Sequence, residues 1–198
     1  MSKLETNTID TVSGTTNLTI GSTNTSSITL GASGDTITVP NGALSGQNYP
    51  SFFARKIGNQ SLAADTDVKL IPNDEVYDTD SAYDTSTGRF TVPTGKGGKY
   101  FLSYGFGMQN LDDNKQVAVN IKVNGSFLET AGTTVLAGSY SFMNTAASSG
   151  SNSDDPTVAT SVMVVLSAGD YVEMWGRQRN SAAENARFMH FGGFRIGA

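Results

Sequence analysis

Two acidic pairs, Asp112-Asp113 and Asp154-Asp155, come closest to a metal-binding pattern in this sequence. Carboxylate oxygens are ligands that Ca²⁺ prefers, so either pair could contribute to a calcium site. Neither pair has the spacing of an EF-hand loop, and acidic residues in loops are commonly only solvated. Two interpretations therefore stay open, a calcium site at Asp112 and Asp113 or solvated carboxylates, and no other cofactor is predicted.

Residues suited to catalysis are sparse. The chain has no cysteine, which excludes thiolate metal sites, cysteine nucleophiles and a disulfide scaffold. Its only histidine, His190, lies between Phe188 and Phe191, which favours packing in the core or at an oligomer axis over catalysis. Glycoside hydrolysis needs two carboxylates at a fixed separation, which a sequence alone does not show. We therefore expect a binding or structural protein rather than an enzyme.

The charge and hydropathy of the chain exclude two classes of partner. Charged residues make up 16% of the 198 residues and the net charge is −5, whereas binding of nucleic acid phosphates needs clusters of Lys and Arg. There is no run of about 18 apolar residues, and the N-terminus has no apolar signal segment. We expect that the protein neither binds nucleic acid nor inserts into a membrane. We also expect that it is synthesised in a cytoplasm, from which cell lysis would be one way of release.

Residues 1–46 have a composition unlike that of the rest of the chain. They hold 18 Ser or Thr and no aromatic residue. Apolar-Thr-apolar triplets recur every nine or ten residues, at Leu18-Thr19-Ile20, Ile28-Thr29-Leu30 and Ile37-Thr38-Val39. So short a period indicates short strands joined by tight turns, whose few apolar side chains three intertwined chains could enclose. We predict a repetitive β shaft over residues 9–46, with a disordered Ser/Thr-rich linker as the alternative.

From residue 47 onward, aromatic residues and longer strand patterns are present. Residues Gln116–Val123 alternate apolar and polar side chains, and Asn124-Gly125 directly after them is a strong hairpin signal. No helix is predicted, residues 72–87 are predicted to form a loop, and Trp175 is predicted to lie in the core. Strands separated by turns about every ten residues predict an all-β sandwich or jelly roll for residues 47–198.

Three predicted strands are apolar or small on both faces, at Tyr100–Met108, Val162–Leu166 and Phe188–Phe194. The outer face of a two-sheet sandwich is normally polar, so a sheet that contains these strands needs a cover. The simplest cover is another copy of the chain. The predicted contact residues of this homo-oligomer are Tyr100, Leu102, Tyr104, Phe106, Val162, Val164, Phe188, His190 and Phe194.

Six motifs follow one another along the predicted sandwich: Tyr83-Asp84, Gly88-Arg89-Phe90-Thr91-Val92-Pro93, Gly98-Lys99-Tyr100-Phe101-Leu102-Ser103-Tyr104, Asn124-Gly125, Ala168-Gly169-Asp170-Tyr171-Val172 and Phe191-Gly192-Gly193-Phe194. In this order they resemble the globular head of complement C1q, which belongs with the tumour-necrosis-factor-like jelly rolls. The resemblance covers residues 50–198 and implies a ten-strand jelly roll, a tight trimer, and both termini of the head at its base. Two departures are a longer turn at 94–98 and the absence of a collagen Gly-X-Y stalk. The triplets of residues 1–46 instead resemble the short β-repeats of bacteriophage fibre proteins.

The topology that the resemblance implies puts three loops together at the far tip, namely 109–115, 144–156 and 178–186. Loops on a rigid scaffold are where recognition residues concentrate, so we expect the tip to be the contact surface. Its candidate residues are Asp112, Asp113, Asn114, Asn152, Asp154, Asp155, Arg177, Arg179, Asn180, Glu184, Asn185 and Arg187. The turns Asn124-Gly125 and Ala168-Gly169 are expected at the opposite end, the base.

These expectations combine into a homotrimeric virion fibre or spike of a bacteriophage. Residues 1–8 would dock on other virion proteins, 9–46 would form the shaft, and 47–198 would form the C1q-like jelly-roll head that adheres to a host glycan or outer-membrane component. The protein would be made in the host cytoplasm and would act on the virion, outside the cell, after lysis. One alternative is a purely structural decoration or adaptor protein of the capsid or tail. A glycan-active enzyme is the less favoured second alternative.

Overall fold

The computed structural model describes residues 49–128, 140–145 and 155–197. The chain divides into two units, Met1–Gly46 and Gln47–Ala198, and the described residues all belong to the second unit. The predicted anchor at 1–8 and the predicted shaft at 9–46 lie outside the described residues, as do the tip candidates Asn152 and Asp154.

The secondary structure of the described residues is built from strands. Their bounds are β1 Ser51–Arg55, β2 Gln60–Leu62, β3 Val68–Lys69, β4 Asp74–Asp78, β5 Tyr83–Asp84, β6 Arg89–Thr91, β7 Gly98–Met108, β8 Gln116–Val123, β9 Ser126–Phe127, β10 Tyr140–Asn144, β11 Thr157–Leu166, β12 Tyr171–Gln178 and β13 Glu184–Gly197. Within these parts of the chain, no helix has the length and apolar character needed to cross a membrane.

The strands form two sheets in which paired strands are antiparallel. The first sheet has the order β11-β7-β13-β1-β4, and β2 also pairs with β13. The second sheet has the order β10-β8-β12-β6-β5, and β3 also pairs with β12 and β9 with β8. Strands that are neighbours in space are therefore often far apart in sequence, as in a jelly roll. The predicted all-β jelly-roll sandwich is confirmed for this unit.

The core lies between the inward faces of the two sheets. The ring of Phe52 in the first sheet stacks on Phe90 of the second sheet, with 4.3 Å between the ring centroids, and meets Phe191 edge-on at 5.0 Å. Gly176 in β12 leaves room for the ring of Phe106, because a β-carbon on Gly176 would come within 2.9 Å of that ring. A core filled this closely holds the two sheets in a fixed relation, so the loops at each end are carried on a rigid scaffold.

The structure corrects the predicted oligomer contact. Four of its predicted residues lie inside the sandwich with no exposed surface, namely Tyr100, Leu102, Tyr104 and Phe106. Val162 in β11 is buried as well, and Val164 packs against the same core. A side chain without accessible surface in one chain has none to bury against a second copy, so the contacts predicted for the first four residues are wrong, and Val162 and Val164 also turn toward the core. Both faces of β7 are apolar or small, and for such a strand alternation alone does not show which face turns inward.

Two strands lie in the segment 72–87 that the sequence predicts as a loop. Strand β4 pairs with β1 at the edge of the first sheet, and β5 pairs with β6 at the edge of the second. Asp and Glu are depleted in strands, so β-propensity does not predict a strand at the acidic residues of β4. At a sheet edge such charges keep their access to solvent, and Asp74 there binds Arg55 at 2.6 Å. The loop prediction is therefore wrong for these two strands.

One end of the sandwich holds both ends of the domain. Ser51 pairs with Phe194, and the Arg195 N–H donates to the carbonyl of Pro50 at 2.9 Å. The side chain of Asn124 donates to the Asp170 carboxylate at the same end, at 2.8 Å. The chain thus enters and leaves the domain beside the turns at 124–125 and 168–169, and the predicted base is confirmed.

Candidate functional site

The loops at the end opposite the base meet one another. The Asn110 N–H donates to the Asp155 carboxylate at 3.1 Å, and the hydroxyl of Thr145 donates to the Asp112 carbonyl at 2.6 Å. The Asp112 N–H in turn donates to the side chain of Asn180 at 3.4 Å. These bonds join the β7–β8, β10–β11 and β12–β13 loops, so the structure brings together the three loops predicted to share the tip.

The β7–β8 loop, residues 109–115, is fixed by its own sequence. Leu111 is fully buried and anchors the middle of the loop. Asn110 and Asn114 have φ angles of 54° and 58°, in the left-handed region that asparagine tolerates better than most residues. The side chain of Asn180 also donates to the Asn110 carbonyl at 3.3 Å. A loop held in this way loses little conformational entropy on binding a partner.

The tip candidates divide into exposed groups and internal braces. Exposed polar side chains are those of Asp112, Asn114, Asp155 and Asn185, while Asp113, Glu184 and Arg187 are half-buried. Asn180 is only 6% exposed and its side chain links two loops, so its prediction as a contact residue is wrong. Arg187 forms an ion pair with Asp155, which ties β13 to the segment before β11.

The described residues do not assemble a metal site at the tip. Across 49–128, 140–145 and 155–197, no group of three or more His, Asp or Glu side chains could hold an ion. Ca²⁺ takes about six to eight oxygen ligands, of which two neighbouring carboxylates supply a small part. Within these parts of the chain, no third carboxylate joins Asp112 and Asp113 to complete the hypothetical calcium site.

Two predicted tip residues, Arg177 and Arg179, turn toward the outer side of the second sheet. The guanidinium of Arg177 lies 2.7 Å from the carboxylate of Asp65, and this hydrogen bond and charge hold the pKa of Asp65 below its usual range. Arg179 lies 3.9 Å from the same carboxylate. Arg177 is opposite Ala118 within the sheet. Both arginines therefore belong to a surface separate from the tip cluster.

The outer face of the first sheet carries several large exposed apolar side chains. Phe101 of β7 is paired with Phe194 of β13 on one side, with 5.4 Å between the rings, and with Met163 of β11 on the other. Met163 and Phe188 are each 70% exposed. We call this surface the apolar face, and it comprises Phe53, Tyr77, Phe101, Met163, Val165, Phe188 and Phe194. Several large exposed apolar side chains on one sheet face commonly mark an interaction site.

His190 lies on the apolar face and not in the core. Its ring is stacked 6.4 Å from that of Phe53, and it lies above Gly105 of the neighbouring strand. Burial lowers the pKa of His190, so the neutral imidazole is favoured there. Of the predicted contact residues, His190, Phe188 and Phe194 lie at the surface, on the apolar face.

A family match accompanies this two-sheet architecture. Residues 51–196 match the sequence profile of the C1q domain. This protein belongs to the C1q-domain family. A comparison with curated proteins finds no match to the chain.

Three solved structures resemble this C1q domain over 75% of the present chain. The globular domain of zebrafish complement 1qA protein is 17% identical, with 98% of that chain covered and a TM-score of 0.49. Eiger TNF from S. frugiperda is 13% identical, with 93% covered and a TM-score of 0.49. Murine APRIL at pH 5.0 is 10% identical, with 100% covered and a TM-score of 0.51. At these identities the likeness concerns the fold alone.

On its second sheet the C1q domain holds a buried carboxylate, Glu173. Its oxygen lies 2.8 Å from Arg89 and 3.3 Å from Lys69. Burial by itself would raise the pKa of Glu173, but the hydrogen bonds and charges of Arg89 and Lys69 outweigh it and hold that pKa below its usual value. The ionised carboxylate thus ties β12 to both β6 and β3, which is a structural role.

Most residues of the apolar face of this C1q domain are not among the predicted contact residues. Phe101 and Met163 occupy the positions next to the predicted Leu102 and Val162. The signal was present, since a strand with two apolar faces usually turns its larger side chains inward, and on β7 these are the even-numbered ones. Trp175, predicted in the core, is half-buried on the outer side of the second sheet, opposite Asn120.

Proposed function

We propose that this chain is a homotrimeric virion fibre or spike of a bacteriophage, whose C1q domain adheres to the host surface through its tip loops. The observation that carries the proposal is the apolar face, because an exposed surface of that kind on one sheet calls for a partner. The simplest partner is the same face of further copies around a common axis. The fibre setting rests on the Thr-containing triplets of residues 9–46.

The two ends of the domain support the choice of the tip as the adhesive surface. The chain enters the domain at the base, so the tip loops are at the end farthest from residue 50. Their exposed side chains are polar and include Asp112, Asn114 and Asn185. Three copies around one axis present three such surfaces side by side, so weak individual contacts gain strength through effective concentration.

Binding of the full-length protein to cells tests the proposal. Fluorescently labelled protein is incubated with a panel of bacterial strains, and bound fluorescence is measured by flow cytometry. A tip variant carrying D112A, N114A and N185A is compared with a base variant carrying T94A and S126A. We expect at least one strain to bind the natural protein and the base variant, and to bind the tip variant at least about tenfold more weakly.

A different result favours the alternative role as a decoration or adaptor protein. In that case the protein binds no strain, and particles that lack it adsorb to their host at the normal rate. Equal binding by the tip and base variants would show that the tip is not the adhesive surface.

A further inference from the structure

The outer side of the second sheet holds a cavity that is separate from the tip loops. Its volume is about 180 Å³, and its lining includes Asp67, Asn120, Tyr140, Trp175, Arg177 and Arg179. We infer that this cavity binds a single saccharide ring that carries a carboxylate, of the hexuronic acid class.

The register of three strands builds the cavity as a slot. Tyr140 of β10, Asn120 of β8 and Trp175 of β12 lie in one row across the sheet. Adjacent strands are about 4.8 Å apart, so the backbones at Tyr140 and Trp175 are about 10 Å apart, with the shorter side chain of Asn120 between them. Aromatic side chains that flank a short polar floor suit the apolar ring faces and equatorial hydroxyls of a sugar.

The floor of the slot has one donor with unused hydrogen-bonding capacity, the side chain of Asn120. The indole nitrogen of Trp175 is buried and has no hydrogen-bond partner among the described residues. The side-chain oxygen of Asn120 accepts from the N–H of Ile121 at 2.7 Å, which leaves its amide nitrogen as the donor. The Asn120 amide is therefore the donor at the floor of the slot that a ligand hydroxyl can meet, while the indole nitrogen is closed off from the slot.

Of the two arginines that line the slot, Arg179 is the one less engaged by neighbouring carboxylates. Arg177 is held by Asp65 at 2.7 Å, whereas Arg179 is 3.9 Å from that carboxylate and its side chain is more than half exposed. The ammonium of Lys122 lies 3.6 Å from the centre of the Trp175 ring and adds a further positive charge. Arg179 is thus the cation best placed to meet a ligand carboxylate, while Asp67 can accept from ring hydroxyls.

The size and position of the cavity fit this class of ligand. Pockets for drug-sized molecules commonly have volumes of about 300–1,000 Å³, so about 180 Å³ suits one ring rather than a long chain. The second sheet also stays open when the apolar face of the first sheet is covered. The inference adds a second binding site to the one proposed at the tip, and it rests on the proposed function only for its biological purpose.

Trp175 allows a direct measurement because it is the only tryptophan of the chain. Its fluorescence is followed while the full-length protein is titrated with methyl glucuronide, and with methyl glucoside as the neutral probe, at matched ionic strength. We expect a saturable change with methyl glucuronide, with a dissociation constant on the order of 1 mM, and at least severalfold weaker binding of the neutral probe. If the fluorescence changes with neither sugar, and saturation-transfer NMR also shows no contact, the inference is wrong.

Variants locate the site and separate binding from folding. Tyr140→Ala should weaken methyl glucuronide binding at least about tenfold, Tyr140→Phe should retain it, and Arg179→Ala should abolish the preference for the acidic sugar. Met143→Ala on the same strand does not alter the lining and should bind normally. Equal binding by natural protein and Tyr140→Ala, both folded by circular dichroism, would overturn the inference.

The failures of the two proposals are distinguishable. If no sugar binds but the tip variant loses cell binding, the pocket is wrong and the proposed adhesion stands. If methyl glucuronide binds as expected but no strain does, the pocket stands and the proposed adhesion is wrong.

Discussion

His190 lies directly above Gly105 of the neighbouring strand, where a β-carbon on Gly105 would come within 2.8 Å of His190 Cε1. The same β-carbon would lie 2.6 Å from Ala159 Cβ and 2.7 Å from the carbonyl oxygen of Val158. Strands β11, β7 and β13 therefore meet at a point where only glycine fits. Because Gly105 has no side chain, the imidazole of His190 can lie flat against the sheet and projects little from the apolar face.

Substitution of Gly105 tests this close approach. Gly105→Ala should destabilise the domain by about 1–3 kcal/mol, because two of the three nearest atoms belong to a neighbouring strand that cannot move independently. The control is Gly197→Ala, since nothing lies within 4 Å of a β-carbon at that position. Urea unfolding followed by circular dichroism measures both. Equal stability of the two variants would show that β7 and β11 are farther apart than described.

The brace at the tip gives a second prediction. Asn180→Ala removes the side chain that accepts from the Asp112 N–H and donates to the Asn110 carbonyl. We expect a loss of about 1–2 kcal/mol in unfolding free energy and faster hydrogen exchange at residues 110–112. Asn185→Ala is the matched control, because Asn185 is exposed and its bond to Gln109 is made by the backbone. Unchanged exchange at 110–112 in Asn180→Ala would contradict the bracing role.

Glu173 makes stability depend on pH in a known direction. Its folded pKa lies below its unfolded value, so its contribution is complete above the ordinary value of 4.5 and is lost as the pH falls through the folded pKa. Glu173→Gln should therefore cost about 1–3 kcal/mol at pH 7 and progressively less below pH 4.5. Unfolding free energies from urea titrations between pH 3 and 7 measure the difference. The exposed Glu75→Gln is the control, and a constant difference for Glu173→Gln at all pH values would refute the ionised pair.

Much of the fold follows from local patterns in the sequence. The alternation in Gln116–Val123 and the Asn124-Gly125 turn lie in the structure where the sequence predicts them. The tip loops could also be placed, because a jelly-roll topology fixes which connections share an end. Strand β4 could not be found in this way, since its acidic residues are disfavoured in strands and only its pairing with β1 makes it one.

The surfaces were harder to predict than the fold. Which face of β7 is inward depends on packing against the second sheet, and in the sequence only the larger size of its even-numbered side chains marks that face. The slot beside Trp175 depends on cross-strand register, which puts Tyr140 and Trp175 on either side of Asn120 although they are far apart in sequence. The braces of the tip depend on contacts between loops, so Asn180 looked like an exposed residue of a polar loop.

The most direct test of the central claim is the accessibility of the apolar face in the full-length protein. The chain has no cysteine, so a single introduced cysteine can be labelled with maleimide at one known position. Met163→Cys lies on the apolar face and Met143→Cys lies on β10 of the second sheet, and both methionines are exposed in the single chain. The account predicts a mass three times the 20.8 kDa of the chain by light scattering, with Met163→Cys labelled at least about tenfold more slowly than Met143→Cys. A single-chain mass, or equally fast labelling of the two cysteines, would contradict assembly through the apolar face.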